Sequence, residues 1–184
     1  MIQMSSVKRI TLCALFIAFC YVLPIAFHSV GMGSIFAPMH IPVLLCGLIC
    51  GSGYGILCGV IGPILSHLLS SMPALPMLVR MVPELCVYGL VGGITMKYIR
   101  TGRAAADVYI SLAITMIAGR IVGGIATAIF YSVTSGVYSI ALWATSYFVE
   151  GLPGIVTHLI LVPVLVLTLQ KARLVPPRYA KSSI

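Results

Sequence analysis

The sequence predicts an all-α integral membrane protein: six transmembrane helices with both termini on the cytoplasmic side. Three observations carry that expectation. The chain of 184 residues is 60% hydrophobic and 8% charged, with a mean hydropathy of +1.15, which is more apolar surface than a soluble domain of this size can bury. Its apolar stretches are long enough for helices rather than barrel strands. Its basic residues gather at segment ends: Lys8 and Arg9, then Lys97, Arg100 and Arg103, then Lys171, Arg173, Arg178 and Lys181. With six spans all three clusters lie on one side of a membrane, and with five or seven they cannot.

One membrane domain covers 1–184, with 1–9 and 171–184 as cytoplasmic basic tails. The first span runs over 10–28; its basic start and apolar run have the look of a signal peptide, but it is long and no small-x-small cleavage site follows, so it reads as a retained helix. A glycine-rich stretch over 28–40 is too polar to cross. Two short apolar segments follow at 41–50 and 56–69, separated by Gly51-Ser52-Gly53-Tyr54-Gly55 as a turn. Each is below the ~20 residues that span a bilayer, which suggests tilted or partly buried helices. Residues 78–96 make the fourth span and 108–134 the fifth. A long sixth helix is expected over 140–169, bent by Pro153 and Pro163. The six cysteines at 13, 20, 46, 50, 58 and 86 all sit in apolar runs and read as small buried residues.

Eleven Lys and Arg against three acids give a net charge of +8. Their location at segment ends marks membrane flanks, not a nucleic-acid face. Arg80 and Arg120 alone fall outside the flanks. Arg80 and Glu84 are four residues apart, on one face of a helix, and ionisable groups in a span usually face a cavity or a partner. The orientation puts both in the outer half of span four. Arg120 sits near the middle of span five, with Tyr131 near its outer end. On an α-helix, Trp143, Tyr147, Glu150, Gly154 and His158 share one face. His40 opens span two and His67 closes span three on the same side. The set reads as a polar pocket for a small water-soluble ligand. Two alternatives stand beside it: a structural membrane protein with a buried ion-pair network of Arg80, Glu84, Arg120 and Glu150, and a transition-metal uptake subunit using His40, His67 and His158. Met39-His40-Ile41 is similar to the Met-His-Ile start of nickel and cobalt uptake components, although here it is internal. No Gly-x-Ser-x-Gly, His-Glu-x-x-His, paired aspartates or phosphate-binding loop occurs. Neither an enzyme nor an ATPase is expected, nor a cofactor or a bound metal.

Several blocks of the chain resemble the substrate-binding membrane subunits (S components) of energy-coupling factor (ECF) transporters, in particular small vitamin-type members. They are Ala14-x-x-x-Ala18 in the first span, Pro38-Met39-His40-Ile41-Pro42-Val43-Leu44-Leu45-Cys46-Gly47-Leu48, and Met72-Pro73-Ala74-Leu75-Pro76-Met77 leading into Glu84-Leu85-Cys86-Val87-Tyr88-Gly89-Leu90. The resemblance implies a multi-pass protein of a prokaryotic plasma membrane. It implies capture of a vitamin or precursor near the outer face, and association with a scaffold membrane subunit and two cytoplasmic ATPases. Ala14 and Ala18 match the scaffold-docking surface. Loops 30–40, 70–77 and 134–138 match gates, which assigns gating positions to Met39, Pro73, Pro76 and Met77. The expected substrate-binding set is Arg80, Glu84, Arg120, Trp143, Tyr147, Glu150, His40 and His67. Arg80 or Arg120 would pair a carboxylate, Glu84 or Glu150 would take donors, and Trp143 or Tyr147 would supply an apolar wall. Pantothenate, a pyridine vitamin or another zwitterionic precursor fits that set.

Overall fold

The computed structural model describes residues 4–29, 31, 36–134 and 139–179. Parts of the expected gates 30–40 and 134–138 and of the basic tail lie outside the described residues, as do the side chains of Tyr147 and Glu150.

Helix α1, Ser6–Ser29, buries one stripe, Cys13, Phe16, Cys20 and Pro24, at helical steps of three and four. Its other faces, with Ala14 and Ala18, are exposed. Helix α2, His40–Cys50, is apolar all round, and nine of its eleven residues are buried, as such a helix requires. At 1.5 Å per residue it is roughly 16 Å long, about half of a hydrocarbon core. It stops at Gly51, whose φ of 99° an L side chain would resist.

The expected turn over 51–55 shrinks to Gly51 alone. Helix α3, Ser52–Ser70, resumes at once and reaches 19 residues, so the third segment is longer than its apolar run. Helix α4, Leu75–Tyr98, carries Pro76 in its first turn, where a missing N–H costs nothing. Helix α5, Ala104–Val133, is 30 residues long and turns Ile114, Ile117, Ile121, Ile125 and Ile129 outward.

The expected continuous helix over 140–169 is broken. Helix α6, Ile140–Ala144, is followed by a π-helical turn, Thr145–Glu150, and then by helix α7, Leu152–Lys171. Pro153 lies in the first turn of α7 and starts that helix instead of bending it. Five helices (α1, α3, α4, α5 and α7) are long and apolar enough to cross a membrane, and α2 is shorter.

Glycine sets the packing of α2, α3 and α4. A Cβ on Gly89 would lie 2.1 Å from the carbonyl carbon of Gly55 and 2.2 Å from its oxygen, and one on Gly47 would lie 2.8 Å from the Gly89 oxygen. Backbone therefore meets backbone along this seam, as at small-residue contacts in membranes. Around it lie Val43, Leu44, Leu85, Leu112 and Val162, all fully buried. The cysteines of α1–α3 join this core: the Cys13 and Cys46 thiols donate to the Tyr54 carbonyl at 3.5 and 3.3 Å, and Cys20 Sγ lies 4.0 Å from Cys58 Sγ.

At the basic end of the bundle the tail is held down. Arg178 donates to Asp107 Oδ2 and to the carbonyls of Met96 and Ile99. The Tyr179 hydroxyl donates to Asp107 Oδ2 at 2.5 Å and accepts from the Gly102 N–H at 3.0 Å. Asp107 Oδ1 takes the N–H and hydroxyl of Thr101, both at 2.7 Å.

Candidate functional site

A cavity of about 340 Å³ opens at the other end of the bundle. Helix α4 supplies Met77, Arg80, Met81 and Glu84 as one wall, a register that follows from their three- and four-residue spacing. Arg120, Thr127 and Tyr131 of α5 face it. His40 from the start of α2 and Gly154 and His158 from α7 close it, with Leu142 and Ser146 from the α6 segment and the π turn.

Arg80 is near the mouth and half-buried. Its Nε donates to the Pro76 carbonyl at 3.1 Å, and its guanidinium carbon lies 5.7 Å from the Phe130 ring centre and 5.8 Å from that of Tyr131. Two aromatic faces thus hold the cation at the cavity wall. Arg120 is deeper, 8% exposed, with Phe148 5.8 Å from its guanidinium carbon.

Glu84 is one turn below Arg80 and 7% exposed. Its Oε1 accepts the Tyr88 hydroxyl at 2.8 Å, and His40 Nε2 stands 3.8 Å away. Arg80 and Glu84 do not pair with each other, so the charge spacing read from sequence makes two separate stations along one wall. The His40 ring stacks on His158 with centres 5.7 Å apart and meets Tyr88 edge-on at 5.5 Å.

Of the expected set, Arg80, Glu84, Arg120 and His40 therefore share one cavity, and Met77 joins them. Trp143 stands elsewhere. Its ring lies against Gly124, and its Nε1–H donates to the Arg120 carbonyl at 3.2 Å. It borders a second, apolar hollow of about 330 Å³ with Ile121, Ile125 and Ile140. The π turn explains this: its i→i+5 bonding interrupts the α-helical step between Trp143 and His158, so Trp143 does not share the face of Gly154 and His158.

His67 is also outside the cavity wall. Its Nδ1 is 2.8 Å from the Pro73 carbonyl, and Ser66 Oγ donates to the Met72 carbonyl at 2.9 Å; together they tie loop 70–77 to the end of α3. Pro73 and Pro76 act here through their carbonyls. Met39 is buried, and its carbonyl receives the Cys20 thiol at 3.9 Å.

Tyr88, Thr127 and Ser146 were absent from the expected set. Tyr88 was readable, because it continues the Arg80–Glu84 step by four more residues. Among the described residues no group of three His, Cys, Asp or Glu side chains is placed to hold a metal ion.

Comparison with known proteins now bears on this arrangement. Neither the curated proteins nor the solved structures gave a significant match. A protein-family model, described as the ECF transporter, substrate-specific component, matches residues 8–166, nearly the whole helical bundle. The chain therefore belongs to the ECF transporter substrate-specific component family, and is a multi-pass membrane protein that binds substrate for an ECF importer and is not itself an enzyme.

Proposed function

We propose that the cavity captures a water-soluble vitamin or vitamin precursor bearing an anionic group, of the size and kind of pantothenate, at the outer membrane face. A scaffold membrane subunit and two cytoplasmic ATPases then carry it inward. The observation that carries this reading is the convergence of Arg80 and Arg120 on one cavity that holds a single partnered carboxylate, Glu84, among the described wall side chains. A volume of about 340 Å³ is at the lower end of small-ligand pockets, which suits a vitamin and is too small for a corrinoid. Guanidinium groups favour carboxylates through paired, charge-assisted hydrogen bonds.

Orientation follows from the charge bias. The end bearing Lys97, Arg103, Lys171 and Arg173 is assigned to the cytoplasm, which places the cavity outside and supports both termini on the inner side. Loop 70–77, tied by His67 and Ser66, stands beside the mouth as a gate. Ala14 and Ala18, exposed on α1, offer the small-residue face that a scaffold helix would approach.

Arg80 and Glu84 do not form the ion pair with each other that their spacing allows. The test is ligand-induced stabilisation in mild detergent without ATP, using a panel that includes pantothenate and nicotinate. Arg80→Ala is expected to weaken binding of the stabilising compound by about tenfold to a hundredfold, from the ~1.5–3 kcal/mol of a charged hydrogen bond. Lys97→Ala should leave it unchanged. Equal effects of the two substitutions, or no stabilising compound, would reject the pocket.

A further inference from the structure

The floor of the cavity holds a polar group that the capture of an anion does not use. His158 is 2% exposed and lines the cavity, yet neither of its ring nitrogens has a hydrogen-bond partner among the described residues. The Ala37 carbonyl approaches the ring without completing a bond of normal geometry. His40 is in a similar position on one side only. Its Nε2 faces the Glu84 carboxylate, and its Nδ1 is buried without a partner. Buried polar atoms are nearly always hydrogen-bonded, and leaving one unmatched is costly. Three such atoms on two stacked rings, at the closed end of a ligand cavity, mark a place where something else supplies the bonds.

The chemistry of that partner follows from the imidazoles. A neutral imidazole carries one N–H donor and one lone-pair acceptor. At His40 the carboxylate of Glu84, already receiving the Tyr88 hydroxyl, calls for N–H on Nε2, so in the neutral ring Nδ1 is the acceptor. His158 offers one of each. A ligand group here must therefore donate to His40 Nδ1 and can at the same time accept from the N–H of His158. A hydroxyl does this with one oxygen; a carboxylate, an ether or a methyl has no hydrogen to give His40.

We propose that His158 and His40 form a deep subsite that reads a neutral hydroxyl of the ligand, with the carboxylate held towards Arg80. Resting on the anion-binding reading above, this narrows the substrate class to a hydroxylated carboxylate and fixes its direction of entry. The neutral end goes in first, because Arg80 lies one turn of α4 above Glu84 and two above Tyr88, roughly 6 and 12 Å along the axis.

A matched pair of probes tests it: pantothenate, and N-(3,3-dimethylbutanoyl)-β-alanine, the same skeleton with both hydroxyls replaced by hydrogen. Affinities are measured by calorimetry on the full chain in detergent, for wild type, His158→Phe, His158→Gln and the control Lys97→Ala. Wild type and Lys97→Ala are expected to prefer pantothenate by about tenfold to a hundredfold, the range set by leaving polar groups unmatched. His158→Phe should lose that preference while still binding the hydroxyl-free probe, and His158→Gln, which keeps a donor and an acceptor, should retain part of it. The preference is a ratio within one variant, so partial loss of folding does not mimic the result. Wild type that binds both probes equally, or His158→Phe that keeps the full preference, overturns the subsite and leaves the anion pocket standing. Wild type that binds neither probe, nor any other carboxylate of the panel, overturns both.

Discussion

Substituting Gly119 by alanine tests whether α5 packs against Tyr88, the residue that holds Glu84 in the cavity wall. A Cβ at 119 would stand 2.1 Å from Tyr88 Cε1 and 2.3 Å from Cδ1. Carbon atoms in contact prefer about 3.5–4.0 Å, so the ring has to retreat by more than ~1 Å. It has no open side, being 1% exposed with the His40 ring edge-on at 5.5 Å. Its hydroxyl is 2.8 Å from Glu84 Oε1, and a retreat of that size breaks the bond. Overpacking costs about 1–3 kcal/mol and loss of a hydrogen bond to a charged acceptor about 1.5–3 kcal/mol. The expected destabilisation is roughly 3–5 kcal/mol, or roughly 10 °C in Tm for a chain of this length. Thermal unfolding in mild detergent reads it. Gly92→Ala is the control, since its Cβ would meet nothing closer than 3.6 Å and should shift stability by less than about 0.5 kcal/mol. Tyr88→Phe keeps the ring and deletes only the hydroxyl, and should show the hydrogen-bond part alone. If Gly119→Ala melts with Gly92→Ala, the contact between α5 and Tyr88 does not exist as described.

Three further outcomes follow from the same geometry. His67→Ala removes the 2.8 Å contact to Pro73 and should cost about 1 kcal/mol while speeding proteolysis within 70–77; unchanged cleavage would separate His67 from the loop. Arg178→Ala strips Asp107 and two carbonyls of a shared donor and should lower stability by about 1–3 kcal/mol, with faster tryptic release of the tail; a tail as resistant as wild type's refutes the clamp. Ala14→Trp, on the exposed face of α1, should leave Tm and ligand binding intact but prevent co-purification with the scaffold subunit, and normal assembly would move the docking surface elsewhere.

Much of the cavity was legible in the sequence because it depends on local periodicity. Arg80 and Glu84 reach one wall because both lie on an uninterrupted α-helix, and spacing alone determines that. Arg120 and His40 followed from where spans begin and end. Trp143 did not, because its direction depends on a π turn, which no pattern of apolar residues announces. His67 was misleading for a different reason: its position at the end of α3 was readable, but the loop carbonyl it bonds to comes from a fold-back that only coordinates reveal. The helix break at Gly51 was anticipated as a longer turn, since Gly53 and Gly55 look like loop residues in sequence. Both are helical, and Gly55 lies where α3 meets the backbone of α4. Arg178, one of several basic tail residues, gave no hint that Asp107 would be its partner 71 residues away.

The glycine seam has a consequence for how such a protein can change. Along α4 the residues that face the cavity, Met77, Arg80, Met81 and Glu84, come before those that face the backbones of α2 and α3, Gly89 and Gly93. Recognition and frame are thus written on consecutive halves of one helix. Because the frame is made of main chain, exchanging the side chains of the upper half leaves its contacts as they are. The same scaffold can be re-addressed to a different small molecule by a handful of replacements near the mouth, whereas one added methyl group at Gly89 or Gly93 drives the helices apart.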